Sequence, residues 1–197
     1  MVTLAPCVIT GQDGDVSFAI SSGNLALDFV GTLGERRDAR TEHLHEGADV
    51  AAWLVEAGVL DAPPSTDGTT LGEAVALREA LFVVVEHLLD EPDGTLPGSA
   101  LDLVNAVAAV PPPEIALQTD RTLARSGSWR AGLSAVARDG LALVDLGDAE
   151  LKWCADPTCT HPFLDRSRGH RRRWCEMAGC GDRAKAAAYR ARRRARA

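Results

Sequence analysis

Apolar residues recur at intervals of three and four along much of the chain, which is the spacing of an amphipathic helix. The longest such run is residues 71–92, where Leu77, Leu81, Val85 and Leu88 mark the predicted buried stripe. Gly140 is a predicted weak point in the last of these helices, since glycine is a poor helix former. The pattern predicts helices over residues 22–33, 50–60, 71–92, 98–110 and 130–147.

A different pattern occupies residues 114–129, where two short alternating segments flank a polar turn. That arrangement is typical of a β-hairpin. The chain therefore predicts an α+β fold, with a mainly helical body over residues 1–150 that includes one short hairpin.

Charge divides the chain at nearly the same place. Residues 1–150 carry 24 acidic and 8 basic side chains, whereas residues 151–197 carry 4 acidic and 13 basic ones. The formal net charge of -7 hides this asymmetry. It indicates a basic module, residues 151–197, attached to an acidic body.

Four of the five cysteines lie in the basic module, in the pattern C-x4-C-x15-C-x4-C formed by "WCADPTC" and "WCEMAGC". Two tight turns that each supply two thiolates can complete the tetrahedral shell of one structural zinc ion. Four thiolates leave no open position for a catalytic water. Disulfides and a redox thiol pair are the alternatives, and His161 or His170 could replace a cysteine. The predicted zinc ligands are Cys154, Cys159, Cys175 and Cys180.

A module of this size has few large apolar groups, so metal binding has to supply much of its folding free energy. We expect Trp153, Phe163, Leu164 and Trp174 to form a small core beside the metal. The alternative is that the aromatic rings stack on nucleic-acid bases.

From residue 166 onward the chain has 12 lysines and arginines. The segment "DRAKAAAYRARRRARA" predicts a basic helix that Asp182 caps, without the apolar stripe of a core helix. Such a surface favours double-stranded DNA as partner. The alternatives are a solvated tail or one that docks on the acidic body. We expect Arg183 or Lys185 to lie closest to base edges. The predicted phosphate contacts are Arg171, Arg172, Arg173, Arg183, Lys185 and Arg190.

The body offers few groups for catalysis, and no nucleophile elbow, phosphate-binding glycine loop or zinc-protease motif occurs. Asp28 lies in an apolar run and is more typical of a cap or a partner of Arg36 or Arg37 than of a catalytic acid. Cys7 is read as a small structural residue. No apolar run could span a membrane and no export signal is evident, so we expect a cytoplasmic protein. The remaining candidates are His43, His45 and His87.

The C-terminal stretch resembles the CGNR zinc finger family, through "FLD" with Ser167, "RRWC" at residues 172–175 and "CGDR" with Lys185. Asp182 stands where the signature has Asn. The body resembles the ABATE domain that precedes this finger, through "LALDFVGTL" and "ADVAAWLVEAGVL", with Gly31-Thr32 in place of the usual Asn-Thr. The resemblance implies a bacterial, stress-linked transcription regulator with a zinc-binding, DNA-contacting module.

These observations predict a zinc-containing, non-enzymatic, DNA-binding transcriptional regulator with one structural Zn²⁺. The body is expected to serve sensing, homodimerisation or contact with other transcription proteins. The alternatives are a protein-interaction adaptor whose basic module meets an acidic partner, a zinc-thiolate redox switch, and an enzyme whose body holds a deep pocket with Asp28, His43 or His45.

Overall fold

The computed structural model of the chain describes residues 18–37, 39–146 and 150–194, so Cys7 lies outside the described residues. Each helical pattern of the body corresponds to a helix. A 3-10 turn, Ala142–Asp145, follows the last of them. The helices are α1 (Leu25–Val30), α2 (Gly47–Glu56), α3 (Thr70–Asp90), α4 (Gly98–Ala108) and α5 (Trp129–Leu141).

In the described part of the chain, three short antiparallel strand pairs accompany the helices, and each is a separate two-stranded sheet. The pair β3 (Glu114–Leu117) and β4 (Leu123–Ser126) is the predicted hairpin. The other pairs, of two and three residues per strand, are too short to show an alternating pattern. They are β1 (Leu33–Gly34) with β2 (Thr41–Glu42), and β5 (Leu151–Trp153) with β6 (Pro162–Leu164).

The cysteine-rich module ends in the basic helix α6 (Asp182–Arg194), which follows a π-helical turn, Met177–Gly181. The predicted fold class is thus confirmed: a mainly helical α+β body with a hairpin, and a cysteine module that ends in a basic helix. Among the described residues, no helix combines the length and apolar character that crossing a bilayer requires.

The apolar core of the body lies between helices α1 to α5. Phe29 of α1 and Trp53 of α2 are fully buried, and their rings meet edge to face with centroids 4.8 Å apart. Helices α3, α4 and α5 add Leu77, Val104 and Leu133 to the same cluster. Burial of each such side chain contributes about 1.5–3 kcal/mol, so the body can fold on apolar packing.

The two glycines inside α5 are explained by close helix approach. A Cβ atom on Gly132 would lie 2.7 Å from the nearest side-chain atoms of Leu54, and one on Gly140 would lie 2.5 Å from Leu81. Gly140, predicted as a weak point, is therefore a contact point where α5 packs against its neighbours.

The module packs directly on the body through a second apolar cluster. Leu27, Val85 and Leu143 of the body meet Leu151 and Leu164 of the β5–β6 hairpin. The backbone N–H of Leu164 also donates to the carbonyl of Ser22 at 2.8 Å.

The prediction that Trp153 and Leu164 form a core beside the metal is wrong. Leu164 belongs to the cluster shared with the body, and Trp153 packs against that cluster. The indole N–H of Trp153 donates to Asp90 at the end of α3, at 2.8 Å. Phe163 and Trp174 do lie with the cysteines, as expected.

Candidate metal centre and basic surface

The first cysteine pair is held by the β5–β6 hairpin and the turn that follows β5. Cys154 comes directly after β5, and its N–H donates to the carbonyl of His161 at 3.2 Å. The turn is closed by an N–H of Cys159 that donates to the carbonyl of Asp156 at 3.0 Å. The Asp156 carboxylate in turn accepts from the N–H and hydroxyl of Thr158. Both sulfurs of the pair are thus presented from one tight turn.

The second pair is positioned by the π-helical turn, because Cys175 lies two residues before it and Cys180 lies within it. Gly181 N–H donates to the carbonyl of Glu176 at 3.0 Å, which turns the chain so that Cys180 faces Cys175. The N–H of Cys175 points toward Cys154 Sγ at 3.5 Å, so the two pairs contact each other. The same turn leads without a break into α6.

The four sulfur atoms lie within 4.8 Å of one another. The Sγ of Cys175 is 3.7 Å from that of Cys159 and 3.6 Å from that of Cys180. A zinc–sulfur distance of about 2.3 Å gives a tetrahedron with edges of about 3.8 Å, so this spacing fits one zinc ion.

The electrostatics of the cluster also call for a cation. The sulfur of Cys154 raises the pKa of Cys159 and of Cys175, because neighbouring sulfurs cannot all be charged. Burial raises the pKa of Cys180 to about 12. The pKa of Cys154 is lowered, since the thiols of Cys159 and Cys175 donate to it. A divalent cation at the centre of the four sulfurs offsets this repulsion and allows all four thiols to ionise.

Arg183 ties the two cysteine turns together. Its Nη2 lies 3.0 Å from Cys180 Sγ and its Nε 2.9 Å from the Asp156 carboxylate. A Zn(Cys)4 centre carries two negative charges, which this guanidinium partly offsets. Arg183 or Lys185 was predicted to lie closest to DNA base edges; half of the Arg183 side chain remains exposed, and that contact stays a prediction.

A buried carboxylate, Asp165, organises the loop between the cysteine pairs. It accepts from Lys152 Nζ and from the N–H of Arg172, both at 2.8 Å, and from the N–H and hydroxyl of Ser167. Burial opposes ionisation of Asp165, but these donors outweigh it and hold the pKa of the carboxyl well below its usual range. The loop geometry therefore depends on this one ionised side chain.

Arg172 is occupied within the protein. Its Nε donates to the carbonyl of Trp174 at 2.8 Å, and its Nη2 donates to the carbonyls of Cys175 and, at 3.1 Å, of Ser21 in the body. Its guanidinium lies 4.6 Å from the centroid of the Phe163 ring. Arg172 thus links the metal loop to the body. Its predicted phosphate contact stays a prediction, but few of its donors remain for one.

The other predicted basic contacts face solvent. Arg171 and Arg173 are exposed on the loop before Cys175, and Arg173 lies over the Trp174 ring. Lys185 and Arg190 are exposed on α6, none of whose residues is buried. Asp182, expected to cap this helix, lies in its first turn and accepts from Lys185 at 3.0 Å.

Asp28 has a structural position. Its carboxylate accepts from the N–H groups of Ser21 and Ser22 at 2.9 and 2.8 Å, and burial raises its pKa. The carbonyls of these serines accept hydrogen bonds from Arg172 and from the N–H of Leu164. We call this contact surface of the body the seat of the module, and Asp28 holds its backbone in place. The expected partners Arg36 and Arg37 pair instead with carboxylates of α3, Glu79 and Glu86.

The three histidines of the body do not converge. The N–H of His45 donates to Asp49 at the start of α2, and His87 Nδ1 contacts the carbonyl of Val83 within α3. His43 lines a cavity of about 90 Å³ with Asp28. That volume is well below the 300 Å³ at which ligand pockets begin.

A larger cavity, of about 330 Å³, lies between the body and the metal module. Body residues such as Thr41 and His43 line one side of it, and Cys159 and Cys175 line the other.

His161 also borders this cavity and packs against the body. Its ring lies over Gly31, whose hypothetical Cβ would be 2.1 Å from His161 Cε1. Burial lowers the pKa of His161 to about 4. His161 and His170 stay outside the four-sulfur group, and His170 Nδ1 instead contacts the carbonyl of Asp165 at 2.7 Å.

Sequence reasoning missed the roles of Asp156 and Asp165, although a signal was present. Both begin an Asp-x-Ser/Thr triplet, in which the carboxylate accepts from the backbone and hydroxyl of the residue two positions on. Asp67 and Asp120 form the same turn in the body. The triplet is a local turn signal that can be read from the sequence alone.

Comparison with protein families identifies both parts of the chain. Residues 23–146 match the ABATE family, described as "Putative stress-induced transcription regulator". Residues 150–193 match the CGNR zinc finger. A search of curated proteins finds no match. The second match, together with the sulfur geometry, assigns Cys154, Cys159, Cys175 and Cys180 as the site of one zinc ion.

Proposed function

The chain belongs to the ABATE family and carries a CGNR zinc finger at residues 150–193, and on this basis we propose that it is a transcription regulator. In this proposal it is non-enzymatic and binds double-stranded DNA through its zinc module. When bound, zinc supplies the charge and the four bonds that hold the cysteine turns together. The residues around it then present a basic surface to the phosphate backbone.

The observation that carries this proposal is the exposure of α6. The helix has 13 residues, of which six are arginine or lysine and one is acidic, and none is buried. A helix that docked on the acidic body would bury one face. The described part of the body leaves α6 uncovered, which favours an external acidic partner over an intramolecular one.

The exposed basic side chains lie on two segments of the module. Arg171 and Arg173 lie on the rigid loop that Asp165 and Arg172 hold, while Lys185 and Arg190 lie on α6. Arginine and lysine at such positions bind phosphates and release counterions. Arg172 and Arg183 contribute mainly by stabilising the metal loop and the cysteine turns, because protein atoms already accept from most of their N–H groups.

The body supports a non-catalytic role. Asp28 and His43 share only the 90 Å³ cavity, and His43 reaches the 330 Å³ cavity without Asp28, His45 or His87. We assign the body to sensing and to contacts with a second copy or with other transcription proteins.

The proposal is tested by the salt dependence of DNA binding. Fluorescence anisotropy on a random duplex should give a log–log salt slope near -5 if about six phosphates are engaged. Arg190→Gln should make the slope shallower by about 0.9. Arg121→Gln is the matched control, since Arg121 is an exposed arginine on the β3–β4 turn of the body.

Sequence specificity separates a regulator from an adaptor. Selection from a random duplex pool should enrich one sequence, which then binds at least about a thousandfold tighter than random duplex. No enrichment, together with equal slopes for the Arg190→Gln and Arg121→Gln variants, would favour an acidic protein partner.

A further inference from the structure

The four zinc-binding cysteines differ in their access to solvent. Cys154, Cys175 and Cys180 are 7%, 6% and 4% exposed, whereas Cys159 is only partly buried. Cys159 and Cys175 both line the 330 Å³ cavity between body and module, and the other two are not among its lining residues. A small molecule that enters this cavity therefore meets one pair of sulfurs.

The cavity is large enough for a small oxidant. Beside the two sulfurs its lining mixes the apolar Leu33 with the polar Thr41 and the charged Glu35 and Arg183. A volume of about 330 Å³ admits a peroxide easily. Thiolate is the form of cysteine that peroxides oxidise, and metal binding keeps these sulfurs deprotonated.

The two sulfurs are also close enough to react with each other. Cys159 Sγ and Cys175 Sγ are 3.7 Å apart, so a shift of less than about 2 Å brings them to the disulfide bond length of about 2.05 Å. They come from different cysteine turns, so a bond between them draws the two turns together.

We propose that Cys159 and Cys175 form a peroxide-reactive pair, with Cys159 as the sulfur attacked through the cavity and Cys175 as the resolving sulfur. Cys159 Sγ bonds to one peroxide oxygen, the O–O bond breaks, and the other oxygen leaves as water after taking a proton. Cys175 Sγ then attacks the Cys159 sulfenic acid, the S–O bond breaks, and a second water leaves. Two thiolates lose two electrons, one hydrogen peroxide gains them, and two protons come from solvent.

Formation of this disulfide also affects the metal and the contact between module and body. Only Cys154 and Cys180 remain as ligands, so the metal is released. The carbonyl of Cys175 accepts from Arg172, which also donates to Ser21 in the body. Movement of Cys175 toward Cys159 therefore disturbs the link between body and module.

The test uses the zinc-loaded full chain and one equivalent of hydrogen peroxide. A chromogenic zinc indicator should report release of about one zinc per peroxide consumed. Tryptic cleavage after Lys152, Arg166, Arg173 and Arg183 gives one peptide with Cys154 and Cys159 and another with Cys175 and Cys180. Fragmentation of the linked peptides should locate the bond between Cys159 and Cys175. Zinc retention at this dose, or a disulfide that joins a different pair, would overturn the proposal.

A variant that obstructs the cavity tests the route without altering a ligand. Thr41 is exposed and lines the cavity, so Thr41→Trp should slow zinc release by roughly threefold or more while zinc content stays at one per chain. Thr95→Trp places the same ring on an exposed loop of the body and should release zinc at the native rate. Equal rates for the two variants would show that peroxide does not enter through this cavity. These readouts do not depend on DNA binding.

Discussion

The helical body and the zinc module reach a folded state by different means. The body surrounds Phe29 and Trp53 with side chains from five helices, and both rings are fully buried. Within the module, the cluster around the metal contains one fully buried large side chain, Phe163, and the cysteines themselves. A small module can thus fold with little apolar burial when metal binding by four thiolates supplies the missing folding free energy.

Contacts at the boundary between the two regions add to what the metal supplies. Leu151 and Leu164 face the body, and Arg172 and the N–H of Leu164 bond to carbonyls of Ser21 and Ser22. The body therefore supplies part of the core that the module lacks. This seat also fixes where α6 begins relative to the body.

Removal of the metal should have the largest effect, because it should unfold the module and leave the body folded. Treating the chain with a tight zinc chelator should unfold residues 150–194, since structural zinc contributes about 10 kcal/mol, while helices α1 to α5 stay folded. Hydrogen exchange read by mass spectrometry separates the two regions: amides of the β5–β6 hairpin should lose protection, and those of α3 should keep it.

The control for that experiment is chelator supplemented with excess zinc, which should restore native exchange. If the β5–β6 hairpin kept its protection in fully metal-free protein, the contacts with the body alone would suffice to fold the module.

Much of the division into a helical body and a zinc module could be predicted from the sequence, because helix periodicity and cysteine spacing are local signals. The run of residues 71–92 is long and periodic enough to predict α3, and equal cysteine spacing predicts one metal centre. Strands β1 and β2 have two residues each, which is too few for an alternating pattern.

The contacts between the regions could not be predicted, because their signals depend on the partner. Leu164 is apolar whether it packs on the metal or on the body. Arg171, Arg172 and Arg173 are identical in type, yet only Arg172 turns inward. The backbone orientation that Asp165 imposes selects it, and this orientation is a property of the folded loop.

The contact between Gly31 of the body and His161 of the module can be disrupted without changing a zinc ligand. Gly31 has ordinary helical dihedrals, so Gly31→Ala adds a methyl group without backbone strain, at a point 2.1 Å from His161 Cε1. The clash should lower the free energy of unfolding by about 1–3 kcal/mol, measured by urea denaturation, while the zinc content is unchanged.

A double variant identifies the cause. Gly31→Ala combined with His161→Ala removes the ring that the methyl group meets, so the pair should cost less than the sum of the single changes. Additive losses would place the origin of the Gly31 effect elsewhere in α1.

The packing of the body gives the smallest of these effects, and its sign is the informative part. Gly132→Ala in α5 puts a methyl group 2.7 Å from Leu54, which is fully buried, whereas Gly72→Ala in α3 meets nothing within 4 Å. Helix propensity alone favours alanine at both positions by about 0.5–1 kcal/mol. Thermal unfolding should therefore show stabilisation for Gly72→Ala and a loss of about 1 kcal/mol or more for Gly132→Ala, because crowding at Leu54 outweighs propensity. If both variants were stabilised, the core of the body would be loose enough to accept a methyl group, and the contrast between a close-packed body and a metal-held module would be weaker than the structure indicates.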